Sequence, residues 1–264
     1  MKKALLVISF GTSYESTRQK NIAACERQLA ACWADRELFR AFTSEMIIRK
    51  LRQRDGLLID NPQQALQRLA EAGYQDVAIQ SLHIINGDEY EKIAREVRAC
   101  RHRFQRLVLG KPLLSSYADY QQLLLALQAQ MPSLAADERV VFMGHGASHH
   151  SFSAYACLDH VMAAQNIPAL VGAVESYPEI DGLIARLRQQ QVRKVHLMPL
   201  MLVAGDHAIN DMASSEPDSW CSQMTQAGIE TQCWLQGLGE NPMIRQMFVD
   251  HLDAALRQSQ QEAA

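Results

Sequence analysis

Short apolar runs alternate with helix-length segments from one end of the chain to the other, and this alternation narrows the fold more than any single residue does. Ala4-Leu5-Leu6-Val7-Ile8-Ser9 is an apolar run that ends at a glycine turn, the pattern of a central parallel strand. Residues 38–42, 76–82, 106–109, 139–143, 169–174, 194–200 and 231–235 read as seven more strands. Helical patterns lie between them. In 62–72, Ala65, Leu66 and Leu69 share one face. In the last helix, Asn241 is placed to cap, Pro242 takes the first position, and Ile244, Met247, Phe248, Ala255 and Leu256 form an apolar stripe. Four βα units followed by four more predict two doubly wound parallel α/β sheets.

A chain of 264 residues suits two domains of roughly 130 residues each. The loop 131–138 is the expected boundary, giving an N-terminal α/β domain over 1–130 and a C-terminal one over 131–264. The halves also resemble each other. Val7-Ile8-Ser9-Phe10-Gly11-Thr12-Ser13 aligns with Phe142-Met143-Gly144-His145-Gly146-Ala147-Ser148 at an offset of 135. Arg40-Ala41-Phe42-Thr43-Ser44 matches Gly172-Ala173-Val174-Glu175-Ser176 at 132, and Ile84-Ile85-Asn86-Gly87-Asp88-Glu89 matches Leu202-Val203-Ala204-Gly205-Asp206-His207 at 118. Three matches in one order point to two copies of one fold. The falling offset predicts extra residues in the first copy, within 45–61.

Composition removes several classes of function. A net charge of −3 and a pI near 6.3, without a basic stripe, give no nucleic-acid footprint. The run Arg49-Lys50-Leu51-Arg52-Gln53-Arg54 reads as the solvated face of a helix. Six cysteines lack CxxC spacing and are expected to be reduced and mostly buried. Met1-Lys2-Lys3 and the apolar run after it are too short for a signal peptide, and no run approaches the ~20 residues of a membrane span. A cytoplasmic protein is expected.

Ligands of open parallel sheets bind outside the carboxyl ends of the strands, and all three matched segments fall there. The copies differ at the informative positions: Phe10 becomes His145, Thr43 becomes Glu175 and Glu89 becomes His207. The second half thus offers two imidazoles and a carboxylate, a set suited to a borderline divalent ion with positions left open. Flanking glycines allow a backbone to approach a ligand closely. In the same strand-end loops, Phe10, Ser13, His83, Gly87 and Gly205 are candidates to line the ligand site. His149 and His150 are read as a surface pair, His196 as buried, and His102, His160 and His251 as helix-surface residues. Met198, Met201, Met212 and Met224 are read as core filling. No HExxH spacing supports a metal-dependent hydrolase. The residues by themselves reach a metal-binding cleft between two similar halves.

Leu5 to Ser13, Ser81-Leu82-His83-Ile84-Ile85-Asn86-Gly87-Asp88-Glu89-Tyr90, Met143-Gly144-His145-Gly146, Val174-Glu175-Ser176-Tyr177-Pro178 and Met198-Pro199-Leu200-Met201-Leu202-Val203-Ala204-Gly205-Asp206-His207 carry a family resemblance. Over essentially its whole length the chain resembles the anaerobic cobalt chelatases of vitamin B12 biosynthesis, class II chelatases of the enterobacterial single-chain type. The resemblance implies two flavodoxin-like halves around a central tetrapyrrole cleft. It implies Co²⁺ inserted as substrate into sirohydrochlorin with release of two protons, without ATP or an organic cofactor. His145, Glu175 and His207 match the family's metal site, His145 its proposed general base, and Glu89 a cleft residue that influences metal handling. The partners implied are the tetrapyrrole and a divalent metal, with no nucleic acid or membrane; self-association is left open. The competing readings are an iron or nickel chelatase acting on a related ring and a non-catalytic carrier of metal or tetrapyrrole.

Overall fold

The first strand shows why the sheet is internal. In the computed structural model, which describes residues 1–262, β1 (Lys2–Ser9) begins with two lysines and is then buried without interruption from Ala4 to Ser9. Only a parallel strand covered on both faces accepts such a run. A helical turn α1 (Glu15–Thr17), a π-helical turn (Arg18–Ile22) and α2 (Ala23–Cys32) lead to β2 (Glu37–Phe42). Then come α3 (Glu45–Asp55), α4 (Pro62–Glu71), β3 (Tyr74–Ser81), α5 (Asp88–Cys100) and β4 (Arg106–Gly110). The second half runs α6 (Tyr117–Gln130), β5 (Glu138–Gly144), α7 (Ser153–Ala164), β6 (Ala169–Ala173), α8 (Ile180–Gln189) and β7 (Lys194–Pro199). A second π-helical turn (Ala208–Met212), α9 (Trp220–Gln226), β8 (Glu230–Cys233) and α10 (Pro242–Gln261) complete it.

All eight expected strands are present, within one or two residues of their expected ends. They form two parallel sheets of identical topology, β2-β1-β3-β4 and β6-β5-β7-β8. In each, the chain winds outward in one direction and then the other, so the topological switch points lie between β1 and β3 and between β5 and β7. The internal repeat is therefore a repeat of fold. Gly11 and Gly146 share a φ of +99°, a conformation that favours glycine. A Cβ added to Gly146 would lie 2.9 Å from the backbone nitrogen of Ser176.

Backbone pairing corrects one alignment. Ser9 pairs with Phe42 and Gly144 with Ala173. Beyond the strands, Ser44 donates its N–H to the Phe10 carbonyl as Glu175 donates to that of His145. Ser44, not Thr43, is thus the counterpart of Glu175. The two equivalent positions differ by one residue from the sequence match because hydrogen-bond register, not side-chain similarity, sets the equivalence. The extra residues of the first copy are α3 and the loop after it, inside the expected 45–61. Ser44 caps α3 by accepting from the Ile47 N–H, and Gly56 ends it in the left-handed region. α4 begins with a capping box between Asn61 and Gln64.

The division of the chain differs from 1–130 and 131–264. One compact unit comprises Met1–Ser115 together with α10, and the other comprises Ser116–Asn241. The reason is helix packing. α10 buries Ile244, Met247, Phe248, Leu252 and Leu256 and packs on β3, β4 and α2. Arg245 and His251 tie it to Gln28 and to the Lys111 carbonyl. α6, in turn, packs with α7 in the second unit, and the Asn241 amide donates to Ala126 and Gln130 near its end.

Two buried polar features brace the sheets. Arg36 forms a bidentate pair with Asp76, both bonds 2.9 Å and both side chains buried. In the second unit, buried His196 accepts from the Trp234 indole at 3.1 Å and meets Glu138 at 3.1 Å through its other nitrogen. The expectation of mostly buried thiols fails: Cys25 is buried, but Cys32 and Cys157 are exposed on helix faces turned from the sheets, and the other three are half-buried. All six are free. Met198, Met212 and Met224 are core residues. His102 and His160 are exposed, and the His149 and His150 rings lie against each other, 3.8 Å between centroids and tilted by 43°.

Candidate metal centre

Three loops at the carboxyl end of the second sheet carry His145, Glu175 and His207. His145 follows β5 and His207 follows β7, the two strands that flank the switch point, while Glu175 follows β6. Ladder bonds continue past the strand ends, from Val174 N–H to the Gly144 carbonyl (3.0 Å) and from Glu175 N–H to the His145 carbonyl (2.9 Å). These hold the first two side chains side by side. Ser176 Oγ accepts from the Ala147 N–H at 3.1 Å and braces the turn. Tyr155, buried against Gly144, lies behind it, and burial pushes its phenol up to about 12.

Ligating atoms of His145, Glu175 and His207 all lie within 4.8 Å of one another. The two imidazoles meet edge to face, 4.5 Å between centroids at 89°, and His145 Nδ1 is 3.7 Å from Glu175 Oε2. Each side chain is a third to a half exposed, so the group is open to an incoming ligand. His207 immediately precedes the second π-helical turn, and its Nδ1 lies 2.5 Å from Asp211 Oδ2. A carboxylate only accepts, so the ring proton sits on Nδ1 and the lone pair is left to Nε2. His145 Nδ1 lies 3.1 Å from the Gly146 carbonyl, which selects the same tautomer. Two imidazoles and a carboxylate form a partial coordination shell for a borderline divalent cation.

The corresponding end of the first sheet is built differently. His83 contacts Ser81 Oγ through Nδ1 (2.9 Å) and Thr43 Oγ1 through Nε2 (3.4 Å). Glu89, in the first turn of α5, is hydrogen-bonded to Lys92. Burial raises the Glu89 carboxyl, but bonds from Lys92 and Thr43 together with the Lys92 charge outweigh it and leave it lowered. Gly87 is the buried residue at the start of that helix. Phe10 is exposed, Ser13 is buried, and Gly205 is buried with its carbonyl accepting from Ile209.

A family model described as Cobalt chelatase (CbiK) matches residues 3–257. The chain is also 70% identical, over all 264 residues and the full length of the other protein, to the sirohydrochlorin cobaltochelatase of Salmonella typhimurium. The chain belongs to the cobalt chelatase family. A more distant relative, sirohydrochlorin cobaltochelatase CbiKC of Nitratidesulfovibrio vulgaris, is 32% identical over 97% of this chain and 91% of its own. Among solved structures, SirB from Bacillus subtilis with Fe³⁺ superposes with a TM-score of 0.65 at 13% identity, covering 98% of each chain. DR2241 from Deinococcus radiodurans superposes at 0.59 and 12% identity over 95% of this chain and 55% of its own. At these identities the likeness carries the fold alone.

Within this cobalt chelatase the structure brings together His145, Glu175 and His207 in one unit. Glu89, His83, Phe10, Ser13 and Gly87 belong to the other unit, and Gly205 lies two residues before His207. Asp211 escaped the sequence reading. Its signal was available as an acid four residues after a candidate ligand, a spacing that places side chains on one helical face. Asp211→Ala is expected to weaken Co²⁺ binding by about 10–100-fold, because the ring loses the group that fixes its tautomer. Titration of the visible d–d bands of Co²⁺ would show it, and unchanged affinity would assign Asp211 no such part.

His83 supplies a pH prediction. Burial holds its pKa down to about 4 against the pull of Glu89. Between that value and the ordinary 6.5 the unfolded chain binds the extra proton. Stability from neutral His83 is therefore complete above pH 6.5 and lost as pH falls toward 4, on the order of 2–3 kcal/mol in all. Urea unfolding at pH 7 and pH 4.5 should show a smaller loss in His83→Gln than in the unaltered protein. Equal losses would refute the assignment.

Proposed function

We propose that this protein inserts Co²⁺ into sirohydrochlorin, releasing two protons, as the names of its relatives indicate for them. The observation that carries the reading is the convergence of His145, Glu175 and His207 in a chain so close to the Salmonella enzyme. Co²⁺ is a substrate here, held by His207 and Glu175 until pyrrole nitrogens replace them. His145 accepts a proton through Nε2. A nitrogen cannot hold a metal and take up a proton with one lone pair, so these duties fall to different residues or different moments. Two N–H bonds break, the ring's four nitrogens take the Co²⁺, and the charge balances with two protons lost, so neither a redox partner nor a nucleotide is needed. Positioning of ring and metal supplies most of the acceleration. Glu89, Phe10, Ser13, His83, Gly87 and Gly205 are proposed to contact or surround the macrocycle, with Glu89 assisting proton removal. No helix among the described residues is long and apolar enough to cross a membrane, and the reading places the enzyme in the cytoplasm.

The test is a multiple-turnover assay. Purified protein, sirohydrochlorin and Co²⁺ are mixed, and the absorbance change of the ring is followed against a protein-free control. Repeated turnover with Co²⁺ outpacing Fe²⁺ and Ni²⁺ supports the reading. A single stoichiometric burst with retained product would make the protein a carrier, and preference for iron or nickel would reassign its metal.

A further inference from the structure

We infer that α3 carries a carboxylate-binding site, formed by Lys50 and Arg54 over the loop after β1, that recognises the acidic side chains of the macrocycle. This rests on the proposed tetrapyrrole substrate. Sirohydrochlorin carries acetate and propionate groups around its rim, so an enzyme that orients it gains from cations set at the edge of an apolar surface.

α3 is the part of the first copy that the second lacks. After β6 the chain passes directly to α8, which matches α4 at the offset of 118, whereas after β2 it first builds α3. Packing does not account for the insertion, since Leu51 is its single buried residue. What the helix does present is charge: Arg49, Lys50, Arg52 and Arg54 are all exposed, in a chain whose net charge is −3. Lys50 and Arg54 stand four residues apart on one face. That face lies against the loop after β1, with Lys50 Nζ 6.0 Å from the centroid of the Tyr14 ring and Arg54 Nη2 donating to the Ser13 carbonyl at 2.5 Å. Beneath it Arg18, only 6% exposed, donates to the Thr12 carbonyl at 3.4 Å.

Three cations thus surround a five-residue loop whose first member, Phe10, shows 42% of its surface to solvent. A flat exposed ring suits the face of a macrocycle, and the cations suit its carboxylates. Asp55 pairs with Arg54 at 2.7 Å, but the guanidinium remains half exposed. Such a surface pair contributes little, and a guanidinium has donors enough to share with an incoming carboxylate. The run that sequence alone reads as a solvated helix face is, at two of its positions, a substrate-facing one.

Equilibrium binding without metal tests this apart from catalysis. The full-length protein is titrated by fluorescence quenching with a porphyrin bearing carboxylates on every pyrrole ring, and with one bearing them on only part of its rim. K50Q is expected to weaken the first roughly threefold to fivefold and K50Q/R54Q about tenfold or more, with a shallower salt dependence and little change for the second. Co²⁺ binding to the second unit should not move in either variant. K50E, a surface reversal remote from any core contact, guards against misfolding of the Arg54 variant and should weaken binding more than K50Q. Unaltered affinity and salt dependence in K50E would overturn the assignment, as would equal weakening for both porphyrins, which would mark a distorted loop. If the unaltered protein bound neither porphyrin, the substrate reading itself would fall.

Discussion

His145→Ala is expected to stop Co²⁺ insertion, with turnover lowered by about 10²–10⁴-fold, while metal-free tetrapyrrole still binds. The expectation follows from the tautomer. With its Nδ1 turned to the Gly146 carbonyl at 3.1 Å, the imidazole is left its second nitrogen as acceptor, and the ring stands in one cluster with Glu175 and His207. Alanine removes the acceptor and one ligand together. His207→Ala removes a ligand but leaves His145 in place, so it should raise the Co²⁺ concentration needed for half-maximal rate more than it lowers the rate at saturation. Multiple-turnover absorbance assays across Co²⁺ concentrations separate these patterns. Near-normal turnover in His145→Ala would remove that residue from the proton-accepting role.

Asp76→Ala should be the most damaging substitution for stability, costing about 3–5 kcal/mol. Arg36 is buried, and it directs two bonds to the Asp76 carboxylate and others to the carbonyls of Ala4 and Asp76. Removing the carboxylate strands a guanidinium charge among the ends of β1 and β3, where water cannot replace the lost partner. Because domains of this kind are stable by about 5–15 kcal/mol, such a loss takes a large share of the total. Urea unfolding would show a lower midpoint. Asp76→Asn, which keeps the shape and some of the bonds, should fall between the two. A midpoint unchanged in the alanine variant would mean that the pair contributes no net stability.

Much of the fold was legible in the chain. A parallel strand covered on both faces has to be apolar throughout, and a helix has to carry an apolar stripe, so eight strands and the doubly wound class could be read from residue pattern. The repeat was legible as well, because glycines such as Gly11 and Gly146 answer to a backbone angle that each copy requires. The candidate ligands followed from it, since a difference between copies at strand ends, Phe10 against His145 or Glu89 against His207, stands out from the shared scaffold.

Other features belonged to the tertiary structure, for a common reason: they depend on which surfaces meet. No local pattern says that α10 returns to the first unit, or that α6 joins the second, because an apolar stripe specifies that it is buried but not against what. Register, set by backbone hydrogen bonds, made Ser44 rather than Thr43 the counterpart of Glu175. The same holds for the basic helix. Its composition announced a solvated face, and only its placement over Ser13 and Tyr14 gave two of its cations a loop to serve.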